Sequence, residues 1–249
     1  MTGCRVRPCA RRRFYYAGIT IGLLLSARYT IFVSALDNGV ALTPPMGWLS
    51  WERFGCNLNC HEQPDECISE HLYKEQASLL VDAGYLQAGY RYVNVDDCWS
   101  EKERDQAGNL VADRKRFPSG LGALAEYLHD KGLLFGLYGD IGWKTCAGYP
   151  GFDGNFERDA RQLAEWQIDS IKVDVCNSNN TVYNVTFPAF GAALNKTRRP
   201  ILYNCQWPLN DAYSHHGENP DILNPAVKNV CNQWRFVRYD VLCKASVGA

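Results

Sequence analysis

The sequence lacks a C-x-x-C pair, and its five histidines do not flank its cysteines at metal-ligand spacing. A zinc cluster is therefore disfavoured. It lacks the G-x-G-x-x-G turn that a dinucleotide-binding open sheet carries after its first strand; the corresponding stretch reads Gly47-Trp48-Leu49-Ser50-Trp51. It lacks an excess of either charge: 26 Lys and Arg stand against 27 Asp and Glu, a formal net charge of −1. No basic stripe for nucleic acid arises from that balance. It lacks internal repeats and low-complexity tracts, which removes solenoids and disordered arrays. Its N-terminal apolar run, Ala17 to Leu25, is too short to span a bilayer.

What is present is ordinary globular composition, with 46% hydrophobic and 21% charged residues in 249. That length suits one large domain or two small ones. The chain opens with Arg5, Arg7, Arg11, Arg12 and Arg13, then the apolar run, then Val33-Ser34-Ala35. A positive start, an apolar centre and a small-x-small exit read as a secretory signal over residues 1–35, with an uncleaved anchor as the alternative. Eleven cysteines suit an oxidising lumen, and eight of them lie between residues 56 and 231. Three N-x-[S/T] acceptors, at Asn179, Asn184 and Asn195, agree with a luminal fate.

Strand-like and helix-like segments alternate from there. A short run ends at Pro45-Met46-Gly47-Trp48. A helix is predicted over Ser69–Ala83, with Leu72, Ala77, Leu79 and Leu80 on one face. Strands follow at 90–97, 133–138, 170–175 and 200–204, and helices at 121–131, 155–166 and 187–194, with a sixth strand over Val227–Arg235. Strand and helix in alternation mean a parallel sheet. Polar residues at successive strand ends (Asp96 with Asp97, Tyr138, Asp174, Arg235) favour a closed α/β barrel of the (β/α)8 type over an open sheet, because barrel active sites gather at the C-terminal strand ends.

In Lys172-Val173-Asp174, period-two alternation puts Lys172 and Asp174 on one face of a strand. An adjacent lysine keeps a carboxylate ionised, as a glycosidase nucleophile must be. A buried structural ion pair gives the same pattern. Asp96 and Asp97 suit vicinal sugar hydroxyls or, equally, turn chemistry. Trp48, Trp51, Trp99, Trp143 and Trp207 lie near expected loops, where indoles stack on sugars or simply fill the core.

Taken together, Leu36-Asp37-Asn38-Gly39, Pro45 to Phe54, Asp96-Asp97-Cys98-Trp99, Lys144 to Gly148, Lys172 to Cys176 and Cys205-Gln206-Trp207-Pro208-Leu209 resemble glycoside hydrolase family 27, the α-galactosidase and α-N-acetylgalactosaminidase family. The resemblance implies a retaining exo-glycosidase of the secretory pathway, lysosomal or extracellular, with no metal or nucleotide cofactor. Its substrates would be terminal α-galactosides of glycoconjugates, and a homodimer is left open for the full-length enzyme. It places Asp174 as nucleophile and Trp51, Asp96, Asp97, Tyr138, Cys146, Lys172, Cys176 and Arg235 around the sugar. It pairs Cys56 with Cys98, Cys60 with Cys67, Cys146 with Cys176 and Cys205 with Cys231. Gln206 and Leu209 take the positions that face the sugar's C2 substituent, where a large aliphatic residue suits a plain hydroxyl.

Two departures accompany the likeness. The acid/base aspartate of the family stands four residues after a W-R arginine, but here Trp234-Arg235-Phe236-Val237-Arg238-Tyr239-Asp240 puts Asp240 at the fifth. Asp240 is the candidate acid, or an accident beyond the family pattern. Residues 241–249 resemble nothing in the family, so the expectation is an incomplete barrel over residues 36–240 with about six strands, without the family's C-terminal β-sandwich. Such a chain expressed alone is expected to be aggregation-prone and inactive.

Overall fold

The computed structural model describes residues 38–178, 182–207 and 225–234. Six strands alternate with helices: β1 (Met46–Leu49), β2 (Tyr90–Asn94), β3 (Leu134–Asp140), β4 (Ser170–Asp174), β5 (Leu202–Cys205) and β6 (Gln233–Trp234). Between them lie α1 (Trp51–Phe54), α2 (Glu70–Asp82), α3 (Gly120–Asp130), α4 (Phe156–Glu165), α5 (Tyr183–Lys196) and α6 (Pro225–Val230). The strands form one sheet in sequence order, and every neighbouring pair is parallel. A doubly wound sheet would reverse its order at a switch point. An unreversed order curls the sheet, and the result is a half-barrel.

Alternation along each strand separates two environments. Val93, Phe135, Ile171, Val173 and Tyr203 are fully buried and face the helices. There they meet Leu72, Leu124, Leu128, Leu163, Phe187 and Phe190. Aromatic contacts tie this layer together: Phe190 stacks on Phe152 at 4.7 Å and meets Tyr203 edge-on at 5.7 Å. The opposite residues of each strand, among them Asn94, Tyr138, Lys172, Asp174 and Asn204, line the concave face. Gly136 leaves room there for the Asn94 amide: a Cβ would stand 1.9 Å from Asn94 Oδ1 and displace the amide that donates to Trp48 O.

Polar ties fix the connections. Arg104 grips Asp159 through both carboxylate oxygens at 2.7 Å and also donates to Gly108 O and Gly151 O. This joins the β2–α3 connection to α4. Asn38 donates to Ile201 O at 2.8 Å and accepts from Asn232 at 3.0 Å. The segment before β1 is thereby anchored to β5 and to the approach to β6.

Several element boundaries differ from the sequence reading. The stretch Val227–Arg235 is not one strand: α6 occupies Pro225–Val230, and β6 is only Gln233–Trp234. Pro225, at the first helical position, is the start signal that the reading passed over. Helix α5 begins at Tyr183 rather than Phe187, and Pro188 inside it masks the helical pattern. Strand β3 runs two residues beyond Tyr138, to Asp140. In α2 the core face centres on Tyr73, Ala77 and Leu80, while Leu79 falls outside it and is 56% exposed. Two substitutions check this assignment in urea unfolding. Phe190→Ala should cost about 3–5 kcal/mol, whereas Leu79→Ala should stay within about 0.5 kcal/mol.

Candidate active site

The C-terminal ends of β2, β3 and β4 bring four carboxylates to one rim. Asp174 ends β4, Asp140 ends β3, and Asp96 and Asp97 follow β2. Parallel register does the placing: Tyr138 lies opposite Lys172, and Asp140 lies opposite Asp174.

The Asp174 carboxylate is held at both oxygens. Oδ1 accepts from the Val175 N–H at 3.0 Å, and Oδ2 accepts from the Tyr138 hydroxyl at 3.2 Å. Burial raises the Tyr138 phenol well above its usual range, and the Asp174 charge adds to the rise. Tyr138 is therefore a neutral donor at any working pH. The Cys146 sulfur lies 3.5 Å from Asp174 Oδ2 and 3.1 Å from the Tyr138 hydroxyl. It is joined to Cys176, so it carries no proton and serves as a wall beside the carboxylate.

Lys172 shares the Asp174 face but does not pair with it. Its Nζ donates to Asp96 Oδ2 at 2.7 Å and lies 5.1 Å from the Tyr138 ring centroid. The sequence reading set Lys172 beside Asp174. Same-face residues on one strand are roughly 6.6 Å apart along it, so the long side chain reaches across β3 to the end of β2 instead. Asp97 is committed as well: it accepts from the Cys98 N–H, the Thr145 hydroxyl and the Ala147 N–H at 2.7–2.9 Å. Burial raises its pKa against those three bonds.

Gln206 follows β5 and is 2% exposed, and its Oε1 has no hydrogen-bond partner among the described residues. Beneath the rim, a cavity of about 200 Å3 on the concave face is lined by Asn94, Ser170, Lys172, Asn204 and Gln233 among others. Asn204 Oδ1 likewise has no partner among the described residues. Trp51 and Trp143 are exposed at 40% and 58%. Trp99 and Trp207 belong to the core: Trp99 donates to Tyr138 O at 2.9 Å, and Trp207 stacks on Phe187. Leu209, Arg235 and Asp240 lie outside the described residues, as does Asn179. Asn184 and Asn195 are exposed on α5.

The cysteines join as Cys56–Cys98, Cys60–Cys67, Cys146–Cys176 and Cys205–Cys231. Asp140, Cys146, Asp174 and Cys176 offer ligand atoms within 4.8 Å of one another. With both sulfurs in a disulfide the thiolate donors are gone, and the set does not suit a soft metal.

A family model described as alpha galactosidase A matches residues 43–245. The chain belongs to this family. It is 48% identical over 201 residues to the α-N-acetylgalactosaminidase of Gallus gallus, covering 80% of this chain and 49% of that protein. It is 45% identical over 224 residues to human α-galactosidase A, covering 86% and 51%. A solved α-galactosidase from Saccharomyces cerevisiae matches with a TM-score of 0.67 at 36% identity, over 81% of this chain and 41% of that one. The chain spans about half the length of the curated relatives it matches. That family match continues past Asp240.

Asp140 is the site residue that sequence reasoning missed. It is fully buried. Burial pushes its carboxyl up to about 7, opposed by bonds from the Cys176 and Gly142 N–H groups and reinforced by the Asp174 and Asp97 charges. The available signal was period two: Asp140 stands two residues beyond Tyr138, on the same face. Between an unfolded pKa of 3.8 and a folded value near 7, the folded chain keeps a proton that the unfolded chain has lost. Stability from this group is therefore present in acid and declines as pH rises through that window. Asp140→Asn should flatten the pH dependence of urea-unfolding stability between about pH 4 and 7. An unchanged slope would show that Asp140 does not titrate there.

Proposed function

We propose that this protein is a retaining exo-glycosidase that removes terminal α-linked galactose from glycolipids, glycoproteins or oligosaccharides. The observation that carries the reading is the setting of Asp174, a strand-end carboxylate on the concave face. One of its oxygens is bonded by a neutral tyrosine hydroxyl and flanked by a disulfide. A nucleophile needs a fixed orientation and a free lone pair, and two single hydrogen bonds leave both oxygens with further lone pairs.

In the proposed reaction Asp174 attacks the anomeric carbon and forms a glycosyl-enzyme as the aglycone leaves. A second carboxylic acid protonates the leaving oxygen, then deprotonates the water that releases the sugar. Asp240 is assigned that role from its place after the Trp234-Arg235 pair. Asp96, fixed by Lys172, is assigned to the sugar hydroxyls together with Trp51, Asp97 and Arg235. Four disulfides and the basic, then apolar, N-terminus support synthesis in the secretory pathway and action in the lysosome or outside the cell. The exposed Asn184 and Asn195 are assigned as glycan acceptors.

One test is covalent trapping by a mechanism-based α-galactoside inhibitor, applied to the full-length product of the transcript. We expect a single label on Asp174, and Asp174→Asn should abolish it while the protein still folds, since the amide keeps the shape but not the nucleophile. Labelling of the variant at the wild-type rate would refute the assignment.

The relatives named α-N-acetylgalactosaminidase raise a second reading. The pair Gln206 and Leu209 argues for galactose. By the family resemblance a leucine at position 209 stands where an acetamido group would need room, and Gln206 Oε1, without a partner among the described residues, can accept from a hydroxyl. A site shaped against a bulky group rejects it by overlap. Assayed on both aryl glycosides, the enzyme should show the higher kcat/KM on the galactoside. Leu209→Ala combined with Gln206→Ser should shift preference toward the N-acetyl sugar. A wild-type preference for the N-acetyl substrate would reverse the reading.

A further inference from the structure

We propose that Asp140 is a positioning residue, clamping the loops that leave β3 and β4 so that Asp174 is held in its attacking geometry. The proposal rests on the reading of Asp174 as nucleophile.

The clamp has two jaws. Asp140 Oδ1 accepts from the Gly142 N–H at 2.8 Å, at the start of the loop after β3. Oδ2 accepts from the Cys176 N–H at 2.8 Å, two residues past Asp174. The main chain completes the frame. Ile141 N donates to Asp174 O at 2.9 Å, and Phe152 N donates to Asp140 O at 2.9 Å. The chain leaving Asp174 is thus held twice, at the Asp174 carbonyl and, one peptide further on, at the Cys176 N–H.

The same loops are joined farther out. Trp143 N donates to Asn177 O at 3.0 Å, and Asn177 Nδ2 donates to Thr145 O at 2.8 Å. The Cys146–Cys176 disulfide closes the arrangement. Close packing there is unforgiving: a Cβ on Gly142 would stand 1.8 Å from Asn177 O. Asp140 lies beneath all of this, fully buried, and makes no contact that a sugar could use. Its two acceptor oxygens are what the site takes from it. An asparagine keeps one acceptor and turns an N–H2 toward the other jaw, leaving a buried backbone N–H unpaired.

The measurement, on the same full-length product as the trapping test, is inactivation by a fluorinated α-galactosyl inhibitor with an activated leaving group, which needs no acid to depart. A displacement of a reacting group by about 1 Å costs on the order of 10²-fold in rate. Asp140→Asn should therefore lower the rate constant of covalent labelling by roughly that factor, with the reversible affinity for the inhibitor little changed. Phe190→Ala serves as the control for general destabilisation: its folded fraction should label at the wild-type rate. Parallel loss of affinity and labelling rate in Asp140→Asn, or no loss, overturns the positioning role. An unlabelled wild type would instead strike at the nucleophile reading and take the positioning role with it.

Hydrogen exchange on the wild-type protein probes the clamp without any variant. The Gly142 and Cys176 amides should be protected as strongly as the strand amides beside them. Free exchange at either refutes the clamp even if Asp140→Asn does not fold.

Discussion

The parallel pairing of β3 with β4 is the constraint on which the candidate site depends. Five residue pairs run from Gly136 with Ser170 to Asp140 with Asp174. Because side chains alternate, this one register decides which residues share the concave face and at what height. A slip by one residue would send Tyr138 and Asp140 into the helix layer and bring Leu137 and Gly139 to the site. The buried apolar residues on the other side, Phe135, Ile171 and Val173, forbid that slip. The hydrophobic layer therefore sets the geometry of the polar one.

That geometry concentrates charge. At the 4.8 Å that bounds the Asp140 and Asp174 oxygens, two full negative charges repel by roughly 3–4 kcal/mol at an effective dielectric of 20. The structure answers with different partners for each carboxylate. Lys172 neutralises Asp96, three donors hold Asp97, and a phenol and a backbone N–H hold Asp174. Burial raises Asp97 as well, and it pushes Asp140, buried deepest, up to about 7. Four acids at one rim thus become chemically distinct, as a carboxylate-based mechanism requires.

The disulfides carry a complementary load. They close separations of 42, 7, 30 and 26 residues, and each contributes about 2–4 kcal/mol in the chain-entropy account. Cys56–Cys98 binds the loop after α1 to the turn after β2, and Cys205–Cys231 binds the end of β5 to the approach to β6. Loops that present functional groups at the rim are thereby restrained where no strand pairing reaches them.

The alternation of strands and helices, the parallel sheet and the strand-end positions of Asp96, Asp97 and Asp174 were legible in the sequence, because period-two and helical patterns are local. So were the short motifs that carry the family likeness. Three matters were not. The partner of Lys172 depends on how far an ammonium reaches across a neighbouring strand, and no spacing along β4 encodes that distance. The helix at Pro225–Val230 interrupts a run whose apolar content alone resembles a strand. Asp140 stands in sequence as one more acid in a glycine-rich loop start. Only the folded sheet, by continuing β3 two residues past Tyr138 and setting β4 alongside, turns it into a buried clamp opposite Asp174. Local pattern determined which elements form and which side chains share a face. The distances and partners that give each carboxylate its setting belong to contacts between residues far apart in the chain, and those only the tertiary structure decided.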